Sequence, residues 1–179
     1  MLQEHDAGVN QAGIAWISAA TRDPRDTRYT WLTNPGARRA ADTGRLFDAV
    51  VLRADLGAAV LELLTAAAEP TGAVIAEGHA GKWAYLVGPG SADAWLHAVG
   101  PPAGTRYHYV GHGGCLTLPG PRPHPGSSMT WIVRPGLGTN LTCVTSLAGS
   151  FLAAEARRPR HCAPEARWPC PACRLRPVP

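Results

Sequence analysis

The run Phe47-Asp-Ala-Val-Val-Leu52 limits most strongly what this chain can become. It is apolar and β-branched, without the apolar–polar alternation of a half-exposed strand, so it reads as a strand covered on both faces. A short polar turn follows, and then Leu56–Ala68, in which Val60, Leu61 and Leu64 fall on one side of a helix. Pro70-Thr-Gly72 stops that helix. A strand buried on both faces needs neighbours above and below it, and the rest of the chain has to supply them.

The remaining punctuation yields short elements. Val9, Ile14 and Ile17 recur at helical spacing over residues 8–20, with Trp16 beside them. Asp23 as N-cap, Pro24 at the first helical position and Asp26 at the third start a second helix, which Asn34-Pro-Gly36 breaks. Ala73–Ala76, Lys82–Val87 and Arg106–Val110 read as further strands. Between the last two, Ser91 is placed to cap a short helix carrying Trp95, Leu96 and Val99. Cys115–Gly120 and Met129–Val133 make two more strands, joined by a Pro-rich loop, and Asn140 is placed to cap a last helix reaching about Glu155. This order predicts an α+β fold around a mixed β-sheet flanked by helices, with helices at its N-terminal end. The expected central strand is Phe47–Leu52, flanked by strands from 82–87 and 106–118.

A chain of 179 residues with 45% hydrophobic content is long enough for one core without staples. Its charge is uneven. Residues 157–179 hold six Arg against Glu165, a net of +5, so subtraction from the chain's +4 leaves the rest near −1. The predicted organisation is therefore a folded domain over 1–156 and a basic, Cys-rich tail over 157–179. No 18-residue apolar run exists, and the first 20 residues lack a basic segment leading into an apolar one. Five Cys, three of them in the last 18 residues, suit reduced thiols better than a disulfide framework, so the expected location is the cytoplasm.

One longer pattern carries more information. Gly113 and Gly114 open a strand ending in Pro119, and a loop with His124 and Gly126 leads to Trp131. Taken with Val50–Gly57 and Gly78–Val87, this resembles the N-terminal domain of bifunctional DNA primase–polymerases of the archaeo-eukaryotic primase superfamily, in its actinobacterial type. The resemblance covers roughly residues 45–135 and implies a primase–polymerase-like core. It also implies a site in which two acids one residue apart and a third on a later strand hold divalent metals, and a His contacts the nucleotide phosphates. Carried over by position, the first acid falls on Arg53, the second on Asp55, the phosphate-contacting His on Trp83 and the third acid on His108. Only Asp55 keeps its type. One carboxylate beside an Arg is a poor site for a hard divalent cation, because the Arg competes for the carboxylate and repels the metal.

The same residues have plainer roles open to them. Asp55 suits the N-cap of a helix starting at Leu56, with Arg53 a solvated turn residue or its ion-pair partner. Trp83 and Tyr85 suit one strand face, as core or groove aromatics. His108 and His112 have ordinary hydrogen bonding open to them beside metal ligation, and His124 suits pinning the Pro-rich loop.

In the tail, Cys170-Pro-Ala-Cys173 has the spacing of a zinc knuckle, with Cys162 and His161 upstream as candidate further ligands; as adjacent residues they are awkward as a pair, and Cys143 or a His of the folded domain is open to complete the four. The alternative is a flexible basic tail with free thiols. Its Arg residues and Trp168 offer a phosphate backbone salt-sensitive contacts and stacking.

The functional expectation is a catalytically degenerate primase–polymerase-like domain acting as a nucleotide or nucleic-acid binding or scaffolding module. Its remnant groove would comprise Arg53, Asp55, Trp83, His108 and His124. No catalytic residues or catalytic divalent metal are expected, structural zinc would sit in the tail, and the partners would be nucleic acid, a nucleotide or a protein, without a membrane. The alternatives are an active DNA primase/polymerase-type nucleotidyltransferase and a small zinc-stabilised protein-interaction domain.

Overall fold

The computed structural model describes residues 8–101, 106–136 and 138–157. Among these residues, five helices and seven strands build an α+β fold with two antiparallel sheets. Helices α1 (Gln11–Ser18) and α2 (Pro24–Thr33) precede strand β1 (Arg39–Asp42). Then come β2 (Asp48–Arg53), α3 (Ala54–Ala66), β3 (Val74–Glu77), β4 (Lys82–Val87), α4 (Ala92–Val99) and β5 (Tyr107–Val110). Strands β6 (Cys115–Leu118) and β7 (Met129–Val133) and helix α5 (Val144–Arg157) complete the described fold.

The larger sheet has the order β5-β2-β4-β3-β7, and β1 and β6 form a separate two-stranded ribbon. From β2 to β5 the order of elements is β-α-β-β-α-β, with β4 inserted between β2 and β3: a split β-α-β arrangement. Its ladders are all antiparallel, not mixed as expected. The reason is the tight β3–β4 turn. Gly81 there has φ +59, which an L side chain adopts only at a cost, and the chain folds straight back into the gap between β2 and β3.

Strand β2 lies between β4 and β5, as the buried run predicts, although β4 rather than β2 is the middle strand of the five. Of the expected flank over 106–118, only β5 joins this sheet; β6 pairs with β1, a strand the sequence patterning missed.

Side-chain alternation divides the sheet into two faces. Val50, Leu52, Val74, Tyr85, Val87 and Tyr107 point to the side covered by α3, α4 and α5. There Trp95, Tyr107 and Phe151 pack as an aromatic triangle with ring centroids 5.3–5.9 Å apart. Ala49, Ile75, Ala84 and Leu86 point to the other side, beneath Trp31 of α2, Leu118 of the ribbon and Phe47. No helix among the described residues is long and apolar enough to cross a membrane.

Candidate functional site

The turn from β2 into α3 is the position to which the primase–polymerase resemblance assigns its paired acids. Helix α3 begins at Ala54, so Arg53 occupies the N-cap position and makes no side-chain cap. Asp55 is therefore not the N-cap but lies within the first helical turn. The first free N–H of the helix, on Ala54, is instead taken by the Gly81 carbonyl at 2.7 Å. The Asp55 carboxylate is gripped by the Arg53 guanidinium through both Nε, at 3.1 Å, and the adjacent Nη. That hydrogen bond, and then the charge of Asp55, raise the Arg53 pKa. Asp55 also suits the positive end of the helix.

The ladders place the other residues. Arg53 lies directly opposite Lys82, and Lys82 opposite Glu77. His108 lies opposite Val51, which makes it a diagonal neighbour of Arg53 across the β2–β5 ladder. Arg53, Lys82, Glu77 and His108 thus share the face turned away from α3, α4 and α5. Two cations side by side there are unfavourable unless acids or a bound anion offset them. Beside Lys82 and Glu77 a groove of about 90 Å³ opens between the sheet and the ribbon, floored by Val51 and Ala84 and walled by Leu116 and Thr117.

Two of the expected groove residues do not belong to this face. Trp83 lies one position from Lys82, so its side chain points to the helix layer. There it packs on Gly57, where an added Cβ would stand only 2.8 Å from the Trp83 Cβ. Trp83 is a half-buried aromatic packed on the helix-side core between β4 and α3, where the missing Cβ of Gly57 leaves space, and only its place on β4 borders the groove. His124 is exposed, and its ring lies against Gly36. It holds the Pro-rich loop to the α2–β1 connection, where Arg122 N–H also donates to the Pro35 carbonyl at 3.0 Å.

The donor set does not suit a divalent metal. Asp55 is already committed to Arg53, and Lys82 stands between that pair and Glu77. Among the described residues no three His, Cys, Asp or Glu side chains converge to hold an ion. His161, Cys162, Cys170 and Cys173 lie outside the described residues, as does Trp168. Cys143 is exposed just before α5, lining a cleft of about 370 Å³ with Ser91, Thr139 and Thr142. The Thr145 hydroxyl, then the backbone N–H groups of Ser146 and Thr145, stabilise its thiolate and lower its pKa to about 7.

One polar cluster escaped sequence reasoning. Asp48 starts β2 and is 1% exposed. Its Oδ2 accepts hydrogen bonds from the Tyr109 hydroxyl and Gly90 N–H, both at 2.8 Å, while Oδ1 is buried without a hydrogen-bond partner. Burial first, then the bond to Asp48, raises the Tyr109 pKa. The carboxylate fastens β2 to the loop before α4 and to β5. The available signal was an acid inside an otherwise apolar strand, where a charge persists only with partners. Two helix caps also differ from expectation. Ser91 precedes α4 but donates to the Gly88 carbonyl instead of capping. Asn140 accepts from Gly136 N–H and lies upstream of α5, which starts at Val144.

No protein-family model matches the chain, and neither curated proteins nor solved structures show a significant match to it.

Proposed function

We propose that the chain is a primase–polymerase-like domain that binds a nucleotide or a nucleic-acid strand without carrying out metal-dependent nucleotidyl transfer. The observation that carries this reading is the bidentate Arg53–Asp55 pair directly opposite Lys82. In the resembled site, metal ions neutralise the phosphates. Here Arg53 and Lys82 are fixed cations on the same end of the sheet, and each keeps hydrogen-bond donors for phosphate oxygens. His108 lies diagonally beside them, and the adjoining groove gives an extended ligand a surface along the sheet. The two carboxylates here, Asp55 and Glu77, are separated by Lys82 rather than paired for two-metal chemistry, whereas phosphate binding needs only the cations.

Fluorescence anisotropy with a labelled deoxynucleoside triphosphate and a short single-stranded oligonucleotide tests this. Binding of at least one is expected, weakening as salt rises and falling several-fold in Lys82→Glu and Arg53→Glu. Binding of neither probe, or binding indifferent to both substitutions, overturns the reading. Primer extension with Mg²⁺ or Mn²⁺ is expected to give no incorporation above background. Incorporation that Asp55→Ala abolishes would establish an active polymerase site instead.

A further inference from the structure

Tyr29 and Leu32 on α2 are 67% and 76% exposed, whereas the other exposed large apolar side chains among the described residues, Leu96, Ile132 and Leu152, lie between 39% and 42%. They are one turn apart on one helix, so they form a single apolar step rather than two scattered residues. Arg25 and Arg28 are also exposed. With ~3.6 residues per turn, Arg25, Arg28, Tyr29 and Leu32 fall within an arc of roughly a quarter of the helix. Thr27 and Trp31 are buried on another side of α2.

The acids of α2 are committed elsewhere. Asp23 Oδ1 accepts from the N–H groups of Arg25 and Asp26 at 3.0 and 2.9 Å, capping the helix. Asp26 pairs with Arg39 at 3.4 Å. Arg22, Arg25 and Arg28 make no ion pair among the described residues. With Arg22, Arg25 and Arg28 against Asp23, and Asp26 offset by Arg39, the face combines an apolar centre with a net positive charge.

We propose that this face of α2 docks an acidic amphipathic segment of another protein, with its apolar side chains over Tyr29 and Leu32 and its carboxylates on Arg25 and Arg28. Charge complementarity selects an acidic occupant. The full chain keeps its own residues 1–7, with Glu4 and Asp6, throughout the peptide selection, so capture of a separate peptide shows that they do not fill the face. The chain's own residues 157–179, with six Arg against one Glu, would be repelled. A second copy meeting the same face across a two-fold axis would set Arg against Arg. A nucleic-acid strand would use the Arg residues and stack on Tyr29, but it leaves Leu32 unaccounted for. The surface is separate from the Arg53–Lys82 groove, and the inference does not rest on ligand binding there.

A displayed library of short random peptides, selected against the full chain, supplies the probes. Enriched peptides are then titrated against the full chain and its variants. The expected winners carry Asp or Glu around a pair of apolar residues. Their affinity should fall about tenfold or more in Leu32→Ser, in Tyr29→Ala and in Arg25→Glu with Arg28→Glu. Leu96→Ser, on α4, should change nothing. Because all four α2 side chains face solvent, these variants should keep the parent melting midpoint. Leu32→Gln stands in if Leu32→Ser does not. Failure to enrich any peptide, winners without acidic residues, or affinity that survives both Leu32 substitutions overturns the proposal. A short single-stranded oligonucleotide is the second probe. Tighter binding of it, lost with the Arg pair but kept in Leu32→Ser, would assign the face to nucleic acid and equally overturn the proposal.

Discussion

The two faces of the five-stranded sheet are made by the same strands, and they differ in what covers them. On one face, three helices bury a continuous aliphatic and aromatic layer centred on Trp95, Tyr107 and Phe151. On the other, the sheet presents Ala49 and Ala84 beneath the β1–β6 ribbon and the first two helices. Small side chains let that cover approach closely, but it ends before the end of β2, where Arg53 and Lys82 carry the sheet's charge into solvent. The alternation of strand side chains thus puts the aromatic core on one face and the charged end of the sheet on the other, where the proposed ligand contact would lie. A variant that behaves against its face tests the assignment directly.

The largest expected effect lies in the aromatic triangle. Phe151→Ala removes a fully buried ring that touches both Trp95 and Tyr107. It should lower unfolding stability by about 3–5 kcal/mol in a urea titration. A loss below about 1 kcal/mol would mean that the helix layer is not the main core.

Next comes the buried carboxylate. Tyr109→Phe takes one of two donors from Asp48 while leaving its charge buried, at an expected cost of about 1.5–3 kcal/mol. The pH dependence has a definite sign. Burial raises the pKa of Tyr85, and burial together with Asp48 raises that of Tyr109. Above the ordinary tyrosine pKa of about 10, the unfolded chain loses these protons first, so it binds fewer than the folded chain and stability falls as pH rises. Below that pH these two groups contribute no slope. Urea midpoints measured at increasing alkaline pH should therefore drop, and drop less in Tyr109→Phe. A parent midpoint that stays level through this range contradicts both shifts.

These elements also show how far the sequence was legible. The buried run at 47–52 identified β2 because continuous hydrophobicity without alternation has few other readings. Asp23 and Pro24 located α2 because cap chemistry is local. What stayed hidden depended on pairing. Arg39–Asp42 is polar at both ends and becomes a strand only because β6 supplies its ladder. The pairing of Arg53 with Asp55 was among the readings open to the sequence, but the capping of α3 by the Gly81 carbonyl was not, since that bond crosses from another turn. Trp83 and His108 looked like partners in one groove until register set them on opposite faces.

That last assignment has its own test, with a smaller effect. Gly57→Ala places a methyl group 2.8 Å from the Trp83 Cβ and 3.0 Å from its Cγ, atoms too near the backbone to swing away. Overpacking of this kind costs about 1–3 kcal/mol, and the better helix propensity of Ala returns up to about 1. A net loss of about 1–2 kcal/mol is expected, with a change in tryptophan fluorescence. Stabilisation by Gly57→Ala would mean that Trp83 does not fill the space beside α3.

Cys143 lies at the edge of the helix layer, just before α5, and the expected effect on stability there is the smallest. It is exposed beside α5, and its lowered pKa of about 7 leaves roughly half of it as thiolate at neutral pH. An ordinary cysteine near 8.5 is only a few per cent ionised there. The gain in thiolate is roughly fifteenfold, but a less basic sulfur is also a weaker nucleophile, so alkylation should be only about threefold faster than for a free cysteine peptide. The pH profile is the sharper readout. Peptide mapping after iodoacetamide treatment should show Cys143 labelling rising with a midpoint near pH 7. Thr145→Val removes the hydroxyl that contributes most to the shift, and should move that midpoint upward while the urea midpoint stays in place. A parent profile centred above about pH 8 would mean that Thr145 and the first turn of α5 do not stabilise the thiolate.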